Sequence, residues 1–409
     1  MYKSLRIALP VALVLLGLFV LIGTGVIGKG RDANFLRQDF AWLWSAGHMM
    51  LDGQNAYDYE AYRPVLMTVV RQHAGNAYAY PPHLGPIAMH WGALSFEVGG
   101  WVLTAENVVF TLLLAGGVFM LVRQATGERW YAATASGLML MCPYAAHVTA
   151  MGQTSLLVAA ALLWGWYFTY RDKPIGGGVL LAIAAIKPMF LVLPVVWLLL
   201  NRKWVAFATF TVTGLALSVP TVILAGGPID FANDWAACIA NYKSFHAQAP
   251  GFRHGTGIGG VLYLMGLDLP DLTILALPFV AALWWAGRKG KIELATIDVL
   301  AVLGLLYFLF GSAHDYDMVV LAPVIASAAI HVRHRPAWLI AAVAALLLMY
   351  FPQRALRGFD SALLLQWRMP VLLGLLVGLT WLTTRGTRAT RSAQPNDMNI
   401  PDGPRVVVR

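Results

Sequence analysis

The chain has 409 residues, of which 59% are hydrophobic and only 12% charged, and it carries a net charge of +9. A soluble chain carries about 25% charged residues, so this one has roughly half of what a water-facing surface needs; its mean hydropathy of +0.65 agrees. These figures exclude a cytosolic enzyme, a disordered chain and a disulfide-stapled secreted domain, and they define a polytopic membrane protein.

A crossing helix needs about 20 apolar residues. Lys3 and Arg6 open an apolar run that lasts to about Gly28 without a small-x-small cleavage site, which predicts an uncleaved first span over 6–28. Further spans are predicted over 99–121, 205–225, 292–311, 317–332, 337–351 and 368–384, with a shorter one over 272–286. Residues 131–170 are broken near Pro143 and Gly152, and 175–200 contains Lys187-Pro188. Both stretches read as helical pairs, the first running out and back, the second a bent hairpin that dips in and returns.

The outer loops are 29–98, 226–271 and 352–367. Residues 40–51 predict a helix along the interface, with Trp42 and Trp44 at headgroup depth, and 84–95 is apolar but too short to cross, as in a re-entrant or interfacial segment. The predicted class is an all-α polytopic membrane protein with about 10–12 transmembrane or re-entrant helices around an outer-face vestibule. It forms one domain over 1–385, followed by a disordered basic tail over 386–409. Cys142 and Cys238 read as buried free thiols rather than a pair.

Placing the N-terminus inside puts eighteen of the 29 Lys and Arg residues on the cytoplasmic side, Arg6 included, and ten outside, with Lys187 between. That is the positive-inside bias, so the basic excess marks orientation rather than a nucleic-acid partner. Mixed charge gathers on the outer face, where Asp32, Asp39, Asp52, Asp58, Glu60, Asp230, Asp234, Asp315, Asp317 and Asp360 fall. Chemistry is therefore expected there.

Asp39 lies just before the interfacial helix. It reads either as a first-turn residue placed by the helix dipole or as a base whose pKa is shifted by desolvation. Asp52 to Asp58 punctuate a turn, which Asp58 either holds or uses to bind a hydroxyl-rich ligand. Tyr78, Tyr80, Pro81, Pro82 and His83 make a rigid aromatic turn, suited to stacking on a sugar ring or to anchoring at headgroup depth. Lys187 interrupts an apolar run, where a cation costs about 2.5–3.5 kcal/mol. It either snorkels or meets an anion, for which a lipid phosphate is a natural partner.

In the loop Ser312 to Asp317, His314 can donate to a phosphate and Tyr316 can pack or hydrogen-bond a ligand ring, or the polar groups are simply solvated. Arg354, Arg357 and Arg368 sit where orientation disfavours positive charge, which suggests phosphate recognition or headgroup binding. Asn241, Lys243, His246, Arg253 and His254 offer unspecific hydrogen-bonding groups for an acceptor. No Walker loop, dinucleotide-binding glycine pattern, HExxH or CxxC occurs.

The order of motifs carries more than any one of them. The first span is followed by Gln38-Asp39-Phe40, Gly53 to Asp58, Tyr80-Pro81-Pro82, Gly152-Gln153-Thr154-Ser155, Gly177 to Lys187-Pro188, Asn201 to Trp204 and the His314 loop. Over roughly residues 5–385 this order resembles glycosyltransferase family 87, the polyprenol-phosphate-mannose-dependent α-1,2-mannosyltransferase-like proteins of the GT-C class.

The resemblance implies inverting transfer of a hexose, mannose by default, from a polyprenyl-phosphate donor to a glycan or glycolipid acceptor on the outer face of the plasma membrane. It makes Asp39 the general base and places Lys187 and His314 near the donor phosphate. Arg354, Arg357 and Arg368 join them as phosphate candidates, and Asp58, Tyr80, His83, Gln153 and Tyr316 stand as substrate contacts. The late loop reads Gly-Ser-Ala-His-Asp-Tyr-Asp, where many members have Ser-Pro and paired His or Tyr, so this part departs from the family pattern. No cofactor and no metal are expected, because a monophosphate leaving group carries little charge and no acidic cluster is evident. A transporter or flippase of a lipid-linked solute is the competing class, since intramembrane charge and broken helices suit it too.

Overall fold

The computed structural model describes residues 2–27, 38–70, 77–248, 255–267, 271–289, 295–311, 313–351 and 366–392. Among the described residues all regular structure is helical. Four stretches of the described residues are long and apolar enough to cross a membrane: Ile7–Val26, Phe96–Thr126, Trp204–Leu224 and Asp315–Val332. Seven shorter apolar helices accompany them, and together the eleven fall within the predicted range. The chain is an all-α polytopic membrane protein.

The first span is α1 (Tyr2–Val20), continued by a π-helical stretch over Leu21–Ile27. It packs against α6 (Arg129–Leu140) through reciprocal glycines. A Cβ at Gly17 would stand 2.6 Å from Leu140 Cβ, and one at Gly137 2.8 Å from Leu13 Cβ. Small residues at such a crossing let two backbones approach closely, which is how spans associate where lipid removes the hydrophobic drive.

The segment after α1, expected to lie outside, contains three short helices among its described residues, α2 (Gln38–Leu51), α3 (Tyr59–Val69) and α4 (Gly85–Gly92). The predicted interfacial helix is α2, and the apolar segment 84–95 is α4 packed on it. The long span α5 (Phe96–Thr126) follows, capped by Ser95 and ended by Gly127 at φ +73.

The stretch 131–170 differs from the expected pair. Both breaks are real, but the residues between them form a helix of their own, so α7 (Pro143–Met151) lies between α6 and α8 (Ser155–Thr169). Pro143 suits a first helical turn, and Gly152 supplies the left-handed residue after the last one. Over 175–200 the expected two helices form, α9 (Pro174–Ala184) and α10 (Val192–Leu200), joined by a 3-10 turn over Pro188–Phe190. Lys187 sits at the break between them.

On α11 (Trp204–Leu224) the apolar Val212, Leu215, Val219 and Ile223 are exposed, as on a lipid-facing span. The second outer loop then forms α12 (Pro228–Gln248) and α13 (Ile258–Leu264). Three contacts pin α12 to the first outer loop: Asn55 Nδ2 donates to Asp234 Oδ2 at 2.7 Å, Cys238 Sγ lies 3.1 Å from the Tyr57 carbonyl, and the Phe231 and Tyr57 rings meet at 5.1 Å. The segment read as a loop is thus helical over much of its length. Cys142 and Cys238 are both buried and free.

The remaining helices are α14 (Leu277–Arg288), α15 (Thr296–Phe310), α16 (Ala322–Val332), α17 (Pro336–Tyr350) and α18 (Arg368–Ser392). α18 continues past residue 385, and the tail from 393 lies outside the described residues. Near the start of α15, buried Asp298 accepts from Ser327 at 2.5 Å and pairs with His331 at 3.0 Å, both on α16. Paired in this way, the carboxylate staples two helices together.

Candidate functional site

Asp39 stands in the first turn of α2, yet it is only 4% exposed. Its Oδ2 accepts from Gln153 Nε2 at 2.5 Å. Gln153 is itself held, with its carbonyl accepting from Asn107 Nδ2 at 3.2 Å and its Oε1 from the Thr154 N–H at 3.3 Å. Burial pushes the Asp39 carboxyl up from 3.8 to about 6; the Gln153 bond and the Lys187 charge oppose that rise, and Asp317 adds to it. A carboxyl poised near neutral pH is what proton abstraction requires. Its place in the first turn of α2 also puts it at the positive end of that helix's dipole.

Gly152 makes this geometry possible. Its φ is +70, and a Cβ there would fall 2.5 Å from Phe40 Cβ, next to Asp39. The left-handed turn closes α7 and presents Gln153 to Asp39 in one step.

Lys187 meets an anion, and that anion belongs to the chain. Its Nζ lies 2.7 Å from Asp317 Oδ1 and 2.8 Å from Ser155 Oγ, and Ser155 in turn donates to Asp317 Oδ1 at 2.7 Å. Both ionic side chains are buried, 8% and 0% exposed. An ammonium has three donors, and two are committed to these partners. The same Nζ stands 5.0 Å from the Tyr316 ring centroid. His314 stacks on that ring at 5.1 Å, and its backbone N–H donates to Asp317 Oδ2 at 3.3 Å.

Tyr80 and Tyr242 complete the surroundings. Tyr80 interacts electrostatically with Asp39, Tyr242 and Asp317, and burial raises both phenols well above the ordinary range. The Tyr80 carbonyl accepts from Tyr57 Oη at 2.8 Å, which fixes the Tyr80-Pro81-Pro82 turn. The structure thus brings Asp39, Gln153, Lys187, Tyr80, His314 and Tyr316 together.

Other expected residues are elsewhere. Asp58 is exposed and caps α3, its Oδ1 accepting from the Glu60 and Ala61 N–H groups; of its two readings, holding the turn is the one the geometry supports. His83 is buried against the Ala185 backbone at the hairpin, where burial lowers its pKa. Arg354 and Arg357 lie outside the described residues, as do Arg253 and His254 and the side chains of Lys243 and His246. Arg368 is buried at the N-terminal end of α18, paired with Asp315 at 2.5 Å and lying over the rings of Tyr144 and Trp367.

Tyr144 connects Arg368 to a long apolar groove. A cavity of about 330 Å³ runs between α6, α16 and α17, with Cys142, Tyr144 and Tyr350 toward one end and Tyr131 and Val332 toward the other. Met318, directly after Asp317, lines it too. The apolar groove and the polar cluster therefore share a wall.

The sequence alone did not reveal Asp317 and Ser155 as partners of Lys187, nor Tyr242 beside Tyr80. Asp317 was visible as one of several loop acids, but its pairing with a lysine 130 positions away was not.

A buried carboxyl thus lies beside a buried polar cluster, and that cluster borders an apolar groove between helices of a membrane protein. The sequence model of glycosyltransferase family 87 matches residues 78–377. The chain belongs to that family and is a membrane glycosyltransferase. No curated protein and no solved structure matches it. The match starts after Asp39, so the assignment of that residue rests on its geometry.

Gly152→Ala tests the geometry. The substitution forces a Cβ into Phe40 and into an unfavourable φ, at about 1–3 kcal/mol. A displaced Asp39 should lower transfer about a hundredfold, read as kcat at saturating donor.

Proposed function

We propose that the protein transfers a hexose from a polyprenyl-phosphate donor to a glycan or glycolipid acceptor at the extracytoplasmic face of the plasma membrane, with inversion and with Asp39 as general base. Mannose is the first sugar to test. One observation carries the reading: a buried carboxyl with its pKa raised to about 6 stands next to a polar cluster that shares a wall with the apolar groove. The charge bias of the loops supports the outward orientation.

In this mechanism the donor tail lies in the groove and its phosphate sits at the outer end, near Arg368 and His314, with the remaining Lys187 donor facing it. The acceptor hydroxyl gives its proton to Asp39 as its oxygen bonds to the anomeric carbon from the side opposite the phosphate. The carbon–oxygen bond to phosphate breaks, and its electron pair leaves with polyprenyl phosphate. Fixed cationic and N–H donors stabilise that growing charge. Gln153 holds the Asp39 carboxyl in line, and the Tyr80, Tyr242 and Tyr316 rings offer a face and hydroxyls to the sugar.

Purified protein incubated with labelled polyprenyl-phosphate mannose and an envelope glycolipid extract should move label to the acceptor and release polyprenyl phosphate. The Asp39→Asn protein should do neither. A wild-type protein that carries the donor across vesicles without splitting it would overturn the transferase reading in favour of a carrier.

A further inference from the structure

The chain makes the same turn twice at one end of the helix bundle. Arg171-Asp172-Lys173 leads from α8 into α9, and Arg202-Lys203 leads from α10 into α11. Each turn passes through a left-handed residue, Asp172 at φ 57 and Arg202 at φ 55. The Lys173 N–H donates to the Phe168 carbonyl at 3.1 Å, and the Lys203 N–H to the Leu198 carbonyl at 3.0 Å. The two turns lie side by side. A Cβ at Gly177 would collide with Thr169, and one at Gly178 would stand 2.5 Å from the Ala206 carbonyl oxygen, so the end of α8 and the starts of α9 and α11 pack backbone on backbone. Lys203 Nζ stands 4.7 Å from the centroid of the Tyr170 ring and so links one turn to the other.

Four cations thus share a small surface with one acid. Arg171 is held by Gln124 at 2.7 Å. Among the described residues, Lys173, Arg202, Lys203 and Asp172 make no ion pair. Lys173 and Lys203 also stand at the N-caps of α9 and α11, where the helix dipole disfavours a cation and favours an anion. Ile175, Trp204 and Val205, the next residues along these two helices, are exposed apolar side chains. We propose that this surface binds an anionic phospholipid, its phosphate among Lys173, Arg202 and Lys203 and an acyl chain along Trp204 and Val205. The apolar flank selects a lipid over a soluble phosphate, which gains nothing from it. Helix α8 runs from Ser155 in the polar cluster to this surface, about 22 Å at 1.5 Å per residue. The lipid is therefore neither donor nor acceptor in the reaction proposed above, and the site stands independently of that reading.

Native mass spectrometry of the full-length protein in detergent tests this, with dioleoyl phosphatidylglycerol, dioleoyl phosphatidylcholine and soluble glycerol 3-phosphate as probes. Wild type should retain phosphatidylglycerol in preference to the other two. Lys203→Gln keeps the stem on Tyr170 and removes the charge, while Arg202→Gly removes a charge at a φ that glycine adopts freely, so neither change threatens the fold. Each should weaken phosphatidylglycerol binding about fivefold, the worth of one basic residue at an anionic lipid surface. Arg335→Ala removes an equal charge at the start of α17, which packs on α16 and α18, and should leave binding unchanged. An equal loss in Arg335→Ala reduces the effect to general basic charge and overturns the site, as does full retention in Lys203→Gln and Arg202→Gly. Phosphatidylcholine or glycerol 3-phosphate bound as tightly as phosphatidylglycerol overturns the choice of ligand.

Discussion

Asp39→Asn is expected to lower sugar transfer by about 10²–10⁴-fold, the usual contribution of a general base, while the protein stays folded. The amide keeps the size of the carboxyl and an oxygen for the Gln153 bond, so the pocket retains its shape. The pH behaviour is more discriminating. Because burial raises Asp39 to about 6, wild-type kcat/KM should climb as pH rises through that value and flatten above it. Stability should move the other way. Between pH 3.8 and about 6 the native state holds a proton that the unfolded chain has released, so stability falls as pH rises through this window. Above it the ionised carboxyl costs about 3 kcal/mol. Asp39→Asn should remove both dependences, melting higher than wild type at pH 7.5 while failing to transfer. Thermal unfolding and initial rates across pH 4.5–8.5 check both. A variant that keeps wild-type turnover removes Asp39 as the base.

The pattern of what sequence could reveal follows from range. Spans such as α5 and α11 were legible because a crossing needs a continuous apolar run, a local property. The Asp58 cap was half-legible for the same reason, since a carboxylate two residues before free N–H groups is a short-range pattern. Pro143 and Gly152 marked breaks correctly, but nothing local said that nine residues between them would form a helix of their own. The site itself is made of distant pairs. Asp39 meets Gln153 across 114 positions, and Lys187 meets Asp317 across 130. A single chain without relatives shows each of these residues as a lone polar side chain. The expense of burying Lys187 announced that an anion must be near, but it did not say whether that anion came from the chain or from a ligand.

Lys187→Met shows how much of that lysine is architecture and how much is chemistry. Removing it leaves Asp317 fully buried with Ser155 and the His314 N–H as its hydrogen-bond donors and no countercharge. Breaking one side of a buried pair typically costs about 3–5 kcal/mol, whereas replacing both sides with apolar groups is near neutral. The single variant should therefore melt far below wild type, and Lys187→Met combined with Asp317→Leu should recover most of the loss. The recovered double variant then isolates the chemical role. If the third Lys187 donor supports the phosphate, the double variant stays folded but shows a raised donor KM with the acceptor KM unchanged. If the pair only ties the late loop to α8 and the break between α9 and α10, restoring the fold also restores donor kinetics, and phosphate contact falls to His314 and Arg368.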